Sequence, residues 1–426
     1  MNPHTILLDS FQVVVKAADP AHIIPQYLHD LSQPSQGRIF VIGAGKASAA
    51  MALAVENHWP KHVELDGVVV TRYGHRLPTR RIKIIEAGHP IPDQNGMEAA
   101  ELMLSKVKQL TKNDFLLCLF SGGGSSLLAL PFESISLTDL RNVTQQLLRC
   151  GASIQEINTV RKHLSRIQGG RLAAACKASI RALIISDVTG DDPTHIASGP
   201  CAPDPTRFAD ALTVLDNYHL DVPPSIQRVL EAGNRQLLEE TPKPGSAVFK
   251  HVQNIVVASA RQSLLAAKAY FQQNHINGLI MGDTVTGEAR EIAKAYAALV
   301  REIRLFPDAL KPPIALLSGG ETTVTLTGSG HGGRNAEFLL SLLIALDGME
   351  NVYALACDTD GIDGSEDNAG AWIAPDSLRR AKQLGLSAKS YLFNNDAYGF
   401  FEKLGNLVVT GPTCTNVNDY RVILIV

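Results

Sequence analysis

Three features of the chain predict an α/β fold in two domains. Short apolar runs end repeatedly in glycine turns, amphipathic helices follow those turns, and Thr241 to Ser246 (T-P-K-P-G-S) interrupts the alternation with a rigid polar connector. The expected division is a Rossmann-like domain over residues 1–241, its largely parallel sheet covered by helices on both faces, and a smaller α/β domain over residues 247–426.

In chain order, Thr5 to Ala18 and His22 to Leu31 read as helices, the first stopped near Pro20 and the second followed by the turn-rich S-Q-P-S-Q-G. Arg38 to Ile42 is the first strand. It runs into Gly43-Ala44-Gly45-Lys46 and then a helix with Ala47, Ala50, Met51, Ala54 and Val55 on its inner face, which is the entry of a βαβ unit. Further strands are expected at Gly67 to Thr71, Ile82 to Glu86, Phe115 to Phe120 and Ala182 to Ser186, with a helix from about Gly96 to Leu110. Ser153 and Glu156 make a capping box for a helix carrying Arg161, Lys162 and His163.

Beyond the connector, strands are expected at Ile255 to Ala258, Gly278 to Met281, Ile314 to Leu317, Val352 to Ala356 and Val422 to Val426. Helices are expected near Gln262 to Gln272, Glu288 to Arg304 and Arg334 to Leu346. Thr322 to Thr327 alternates in strand fashion, so Gly319-Gly320 reads as a turn between two strands. Gly328, Gly330, Gly332 and Gly333 then lead into the helix that starts at Arg334.

With 426 residues, 45% hydrophobic and 19% charged, the chain has material for two cores. A net charge of −3 with interspersed signs recommends neither nucleic acid nor a membrane surface as partner. No signal-like N-terminus and no apolar window of ~18 residues is present, which points to the cytoplasm. The six cysteines stand singly, without a C-x-x-C pair, and read as reduced thiols. Partners are expected to be small molecules, and a homodimer is left open.

Open α/β sheets bind ligands at the carboxyl ends of their strands, and the chemically loaded residues fall there. Gly43, Gly45 and Lys46 follow one strand. Ser121, Gly122, Gly123, Gly124 and Ser125 follow another, Asp187, Asp191 and Asp192 a third, and Ser318, Gly319, Gly320 and Glu321 with Asp358, Asp360 and Asp363 two more. Glycine turns, a lysine, an arginine and several aspartates are the parts of a phosphoryl-transfer site: a backbone cradle, a charge clamp and magnesium ligands. Gly332 and Gly333 precede a helix start whose amides attract anions, beside Arg334. The same residues also read as a hairpin-to-helix loop, a surface lysine and aspartates that do no more than cap turns. Walker A fails, because Gly45-Lys46 is followed by alanine and no glycine stands five residues before Gly45. G-x-G-x-x-G fails at Ser48, and the second strand ends at Thr71-Arg72 without an acid for a ribose. No G-x-S-x-G elbow surrounds Ser121.

The motifs G-A-G-K-A, S-G-G-G-S-S, D-V-x-G-D-D-P-x-x-I-A-S-G-P, S-G-G-E-T-T-V, G-x-G-x-G-G-R-N-x-E, D-T-D-G-x-D-G and T-G-P-T-C-T-N-V-N-D run in order along the chain. In them the sequence resembles the class II glycerate kinases, the glycerate 2-kinase group with a MOFRL domain, some of whose members have been named hydroxypyruvate reductases. The resemblance implies two α/β domains with a cleft between them and transfer of the γ-phosphoryl of ATP to the 2-hydroxyl of D-glycerate with Mg²⁺. It also implies that Lys46 and Arg334 match the family's active-site lysine and arginine; with the two placed in different domains, domain closure is expected to bring them to one phosphoryl group. Asp187, Asp191 and Glu321 then sit in matching acidic motifs, Asp187 or Asp191 orienting or deprotonating the 2-hydroxyl and Glu321 assisting the metal or the substrate. Cys414 departs from the family pattern, where glycine is expected. An NAD(P)H-dependent hydroxypyruvate reductase, with Arg72 accepting a 2′-phosphate, is the alternative activity, and a nucleotide or anion sensor the non-enzymatic one.

Overall fold

The structure, a computed structural model, describes residues 2–29, 37–60, 64–188, 190–307 and 310–426. The chain divides into two compact units: Pro20–Val257, and Ala258–Val426 joined by the N-terminal segment up to Asp19. That division differs from the expected boundary at both ends. Helix Pro3–Ala17 buries Ile6, Leu7, Phe11 and Val14 against Leu264, Phe271 and Tyr420, and Ser263 Oγ donates to the Val14 carbonyl, so the N-terminus completes the second core. The T-P-K-P-G-S segment is no loose linker: Thr241 is buried and its hydroxyl donates to Asp204 Oδ2 at 3.1 Å.

In the first unit the sheet consists of β1 (Ile39–Ala44), β2 (Leu65–Arg72), β3 (Ile82–Ala87), β4 (Phe115–Phe120), β5 (Ser179–Ile185) and β6 (Val252–Ala258), in the order β3-β2-β1-β4-β5-β6. The pairs β3/β2, β2/β1, β1/β4 and β4/β5 are parallel, and every residue of β1 is buried. The order reverses between β1 and β4, so their carboxyl ends open a crevice at the topological switch point. The expected helix His22–Leu31 is instead a short turn, Pro20–Ile23, and a 3₁₀ segment, Ile24–Tyr27, because Pro25 has no amide to continue an α-helix. Asp30 to Gln36, including most of S-Q-P-S-Q-G, lie outside the described residues. Helices Leu137–Arg149, Ile154–Leu164, Phe208–Asn217 and Pro224–Asn234 share a satellite core, and the Ser153–Glu156 capping box is present.

The second unit has a mixed sheet: β7 (Asn277–Glu288), β8 (Ile314–Thr323), β9 (Val352–Asp358), β10 (Gly370–Ile373), β11 (Leu407–Val408) and β12 (Asp419–Ile425), ordered β11-β10-β9-β12-β8-β7. Only β7 and β8 pair in parallel; β12 runs antiparallel to both β8 and β9. The expected turn at Gly319-Gly320 does not exist. β8 continues through both glycines beside a β7 longer than expected, and a Cβ on Gly320 (φ +105°) would fall 2.3 Å from the Val285 carbonyl oxygen. The glycine therefore admits an irregular strand pairing. No described helix is long and apolar enough to cross a membrane.

Candidate active site

The G-A-G-K turn after β1 and the S-G-G-G turn after β4 interlock. Lys46 N donates to the Gly122 carbonyl at 2.8 Å, Ala47 N to Ser121 Oγ at 3.0 Å, Ser121 N to the Ala44 carbonyl at 3.1 Å and Gly45 N to the Val70 carbonyl at 3.2 Å. A Cβ on Gly45 would lie 2.1 Å from Ser121 Oγ, and one on Gly43 2.6 Å from the Leu119 carbonyl oxygen. Gly43 and Gly45 thus let two backbones meet, and the Gly45 amide expected to cradle phosphate is already spent inside the protein. Donors remain in the partner turn. Gly122 N and Gly123 N have no hydrogen-bond partner among the described residues. Gly123 takes φ +78°, and its missing Cβ would stand 3.4 Å from Lys46 Cγ and 2.9 Å from the His89 ring. Two amides without a partner among the described residues, that of the buried Gly122 and that of Gly123, and a half-buried lysine stand together at the switch point, the donor types an anion takes.

The third loop follows β5. Asp187 and Asp191 are half-buried, Asp191 in the left-handed region at φ 55°, and Asp192 caps its own turn by accepting Thr194 N at 2.9 Å. The loop ends in a run of left-handed residues, Ala197, Ser198 and Gly199, with φ 51°, 58° and 61°. Two of these are not glycine, and strain of that kind persists where the surroundings enforce it. Here Ala197 fills the space that Gly124 leaves, since a Cβ on Gly124 would be 2.6 Å from Ala197 Cβ. Ser198 Oγ, fully buried, stands 2.9 Å from Ser125 Oγ and donates to Asn158 Oδ1 at 3.0 Å. The loops after β4 and β5 are thereby tied to helix Ile154–Leu164. Thr189 lies outside the described residues.

In the second unit, the antiparallel insertion of β12 brings its first residue, Asp419, opposite Asp358 at the end of β9 and close to the end of β8. Arg334 meets all three strand ends. Its Nε donates to Asp419 Oδ1 and Oδ2 at 2.9 and 3.0 Å, Nη1 to Glu321 Oε1 at 2.7 Å and Nη2 to Asp358 Oδ2 at 2.9 Å. Burial alone would lower the Arg334 pKa; Asp419, Asp358 and Glu321 outweigh it and hold the guanidinium well above its ordinary value. Arg421, buried, also bonds Asp419, together with the Gly319 carbonyl and Thr322 Oγ1.

The helix start expected to receive phosphate carries a carboxylate already. Asp363, fully buried, accepts Asn335 N at 3.0 Å and Ala336 N at 2.8 Å, and a Cβ on Gly333 would lie 2.3 Å from its carboxyl carbon. Gly333 therefore makes room for that cap, and the amides of this helix are not open to a phosphate. Gly332 (φ +152°) lies against the backbone of Tyr398, and Ser318 is buried in β8 with an unpartnered hydroxyl. Asp360 is a turn residue whose Oδ1 accepts Ile362 N at 2.9 Å. Cys414 takes φ 60°, the conformation a glycine would adopt without steric cost.

Magnesium takes hard oxygen ligands, commonly one or two carboxylates together with phosphate oxygens and water. Glu321 and Asp358 are of that chemical class, and Glu321 keeps one carboxylate oxygen without a partner among the described residues. Among the described residues no group of three or more His, Cys, Asp or Glu is set to hold an ion unaided. Asp419 and Asn158 were not singled out by sequence reasoning. Asp419 ends the T-N-V-N-D motif and was legible as one more acid; Asn158 sits on a helix face and carries no local signal.

A family model described as a domain of unknown function, DUF4147, matches residues 6–231, and one described as the MOFRL family matches residues 314–419. A D-glycerate 2-kinase of Thermotoga maritima is 39% identical over 427 residues, covering 100% of both chains. The chain belongs to the glycerate kinase family with a MOFRL domain. The fold agrees: the crystal structure of a glycerate kinase from Thermotoga maritima superposes with a TM-score of 0.88 over 99% of each chain. An Agrobacterium vitis relative, 48% identical over 99% of this chain and 94% of its own length, bears a hydroxypyruvate reductase name. Strands β1 to β5 of the Rossmann-like sheet fall within the DUF4147 match, and Arg334 with Glu321, Asp358 and Asp419 falls within the MOFRL match.

Proposed function

We propose that the protein is an ATP-dependent D-glycerate 2-kinase that works in the cytoplasm. The observation that carries this reading is the cradle at the switch point, where Lys46 stands beside the open amides of Gly122 and Gly123. A transferring phosphoryl group spreads negative charge over its oxygens, and fixed donors plus one ammonium are what stabilise it. The 2-hydroxyl oxygen of D-glycerate attacks the γ-phosphorus, the bond to the β-phosphate oxygen breaks, and the hydroxyl proton passes to a carboxylate of the loop after β5, Asp187 or Asp191. Mg²⁺ would neutralise phosphate charge, and Glu321 and Asp358 are the oxygen ligands in the second unit that would hold it. Arg334 fixes those two carboxylates through Nη1 and Nη2.

The reductase reading is favoured by the name of the Agrobacterium vitis relative and by a strand order shared with dinucleotide-binding sheets. Against it, the amides of Gly45, Lys46 and Ala47, where a pyrophosphate would sit, are all engaged within the protein, and β2 ends at Arg72 with no acid for the ribose. Pure protein incubated with ATP, Mg²⁺ and D-glycerate is expected to form 2-phosphoglycerate, and with NADPH and hydroxypyruvate to leave NADPH unoxidised. The reverse pattern sinks the kinase reading, and binding without turnover would make the protein a sensor.

A further inference from the structure

Arg161 differs from three of the other enclosed arginines among the described residues. Arg334, Arg421 and Arg290 each hold a carboxylate. Arg161 forms no ion pair among the described residues, and its one hydrogen-bond partner there is Asn158 Oδ1, 3.3 Å from Nη1. Removing a guanidinium from water without a counter-charge is unfavourable, and burial pulls its pKa down to about 10. It remains charged at neutral pH. It borders a cavity of about 20 Å³ whose lining is mainly apolar, with Leu130, Leu140 and Leu164, but includes Ser125 of the S-G-G-G-S turn together with Thr144 and Gln168. Asn158 Oδ1, which receives Arg161, also receives Ser198 at the end of the β5 loop, and Ser198 Oγ stands 2.9 Å from Ser125 Oγ.

We infer that Arg161 is the residue that recognises the carboxylate of the acceptor substrate, selecting small 2-hydroxy acids over neutral polyols. This rests on the kinase reading above. A planar guanidinium with four N–H groups uncommitted matches a carboxylate in a two-bond fork. The cavity admits about one water-sized group, enough for the tip of a carboxylate and not for a triphosphate, whose donors are instead Lys46, Gly122 and Gly123. The link through Asn158 and Ser198 connects the bound carboxylate to the loop that carries Asp187 and Asp191, so one end of the acid is fixed and its 2-hydroxyl is turned toward the proton acceptor.

Steady-state kinetics of Arg161→Gln and Arg161→Lys test this. Loss of a charge-assisted fork should raise the KM for D-glycerate by roughly 10- to 100-fold while the KM for ATP moves by less than about threefold. Preference for D-glycerate over D-glyceramide, its uncharged amide, should fall by the same factor in Arg161→Gln and by less in Arg161→Lys. A purely structural Arg161 would depress both acceptors alike; that result, or a D-glycerate KM within about threefold of wild type, overturns the inference while leaving the kinase reading intact. Folding is not expected to suffer in Arg161→Gln, since it removes an uncompensated cation. If that variant fails to fold, the same comparisons on Arg161→Lys decide. Should the wild-type chain phosphorylate no glycerate, the kinase reading fails, and thermal shift of the full chain judges Arg161 separately. Stabilisation by D-glycerate and D-lactate, absent with glyceramide and lost in Arg161→Gln, upholds carboxylate recognition; a response to inorganic phosphate alone, or to none of these, ends it.

Discussion

Lys46 and Arg334 both stand next to glycine turns at strand ends, and one local pattern gives them opposite electrostatic surroundings. Around Lys46 the polypeptide leaves donors open, at Gly122 N and Gly123 N. Around Arg334 each guanidinium nitrogen donates to a carboxylate, and Asp363 accepts the neighbouring helix amides of Asn335 and Ala336. The first arrangement is poised for an incoming anion. The second is a knot of two arginines, Arg334 and Arg421, and three carboxylates, Asp419, Asp358 and Glu321, which keeps one net negative charge. Glycine and a cation in sequence do not by themselves say which of the two will form.

The largest effect should come from cutting the knot. Arg334→Ala takes from the buried Asp419 one of its two arginines and from the nearly buried Asp358 an ion pair, a loss of about 3–5 kcal/mol of stability measured by denaturant unfolding. Arg334→Lys should recover little, because an ammonium cannot serve three carboxylates in a fixed fork. An Arg334→Ala protein as stable as wild type would show that the knot is not closed in solution.

Lys46→Ala should behave in the contrary way. Turnover should fall about a hundred- to a thousandfold, ~3–4 kcal/mol of transition-state stabilisation, with ATP affinity nearly kept and circular dichroism unchanged. Lys46→Arg should also be slow, since the charge moves. Retention of more than about a tenth of wild-type turnover would make Lys46 an ordinary surface residue.

The smallest effect concerns pH. Burial, opposed by the amides of Asn335 and Ala336, raises the Asp363 pKa from its ordinary value to about 6. A carboxyl whose folded pKa is raised binds more protons in the native state, so its contribution favours folding below the unfolded pKa of 3.8 and declines as pH rises to about 6. Unfolding free energies should therefore drop across that window by an amount on the order of 1–3 kcal/mol in wild type, and the slope should flatten in Asp363→Asn. An unchanged slope in the variant would assign the pH dependence to other groups.

Apolar periodicity and glycine punctuation were enough to read most strands and the helix at Arg334, because burial of one face is written at period two or 3.6 in the residues themselves. The short strands Gly370–Ile373 and Leu407–Val408 were missed, and the strand at Ile255 to Ala258, expected in the second domain, joins the first sheet. The order of glycine motifs was enough to place Lys46 and Ser121 to Ser125 at strand ends and to give the family. The sequence did not reveal what each glycine faces. Gly43 meets Leu119 of β4, Gly45 meets Ser121 in the next turn, Gly320 meets β7 and Gly333 meets Asp363, and each of those neighbours is remote in the chain. Nor did it reveal that helix Pro3–Ala17 belongs with residues after Ala258, since its apolar stripe fits any apolar surface until one is offered.

What the sequence determined alone was therefore the local choice of strand, turn or helix and the stock of charged groups at strand ends. Charge pairing was decided by tertiary structure. An antiparallel β12 delivers Asp419 to Arg334 across 85 residues, whereas no acid is brought to Arg161 among the described residues. Electrostatic energy depends on distance and burial, and both are set only when the sheets and helices pack.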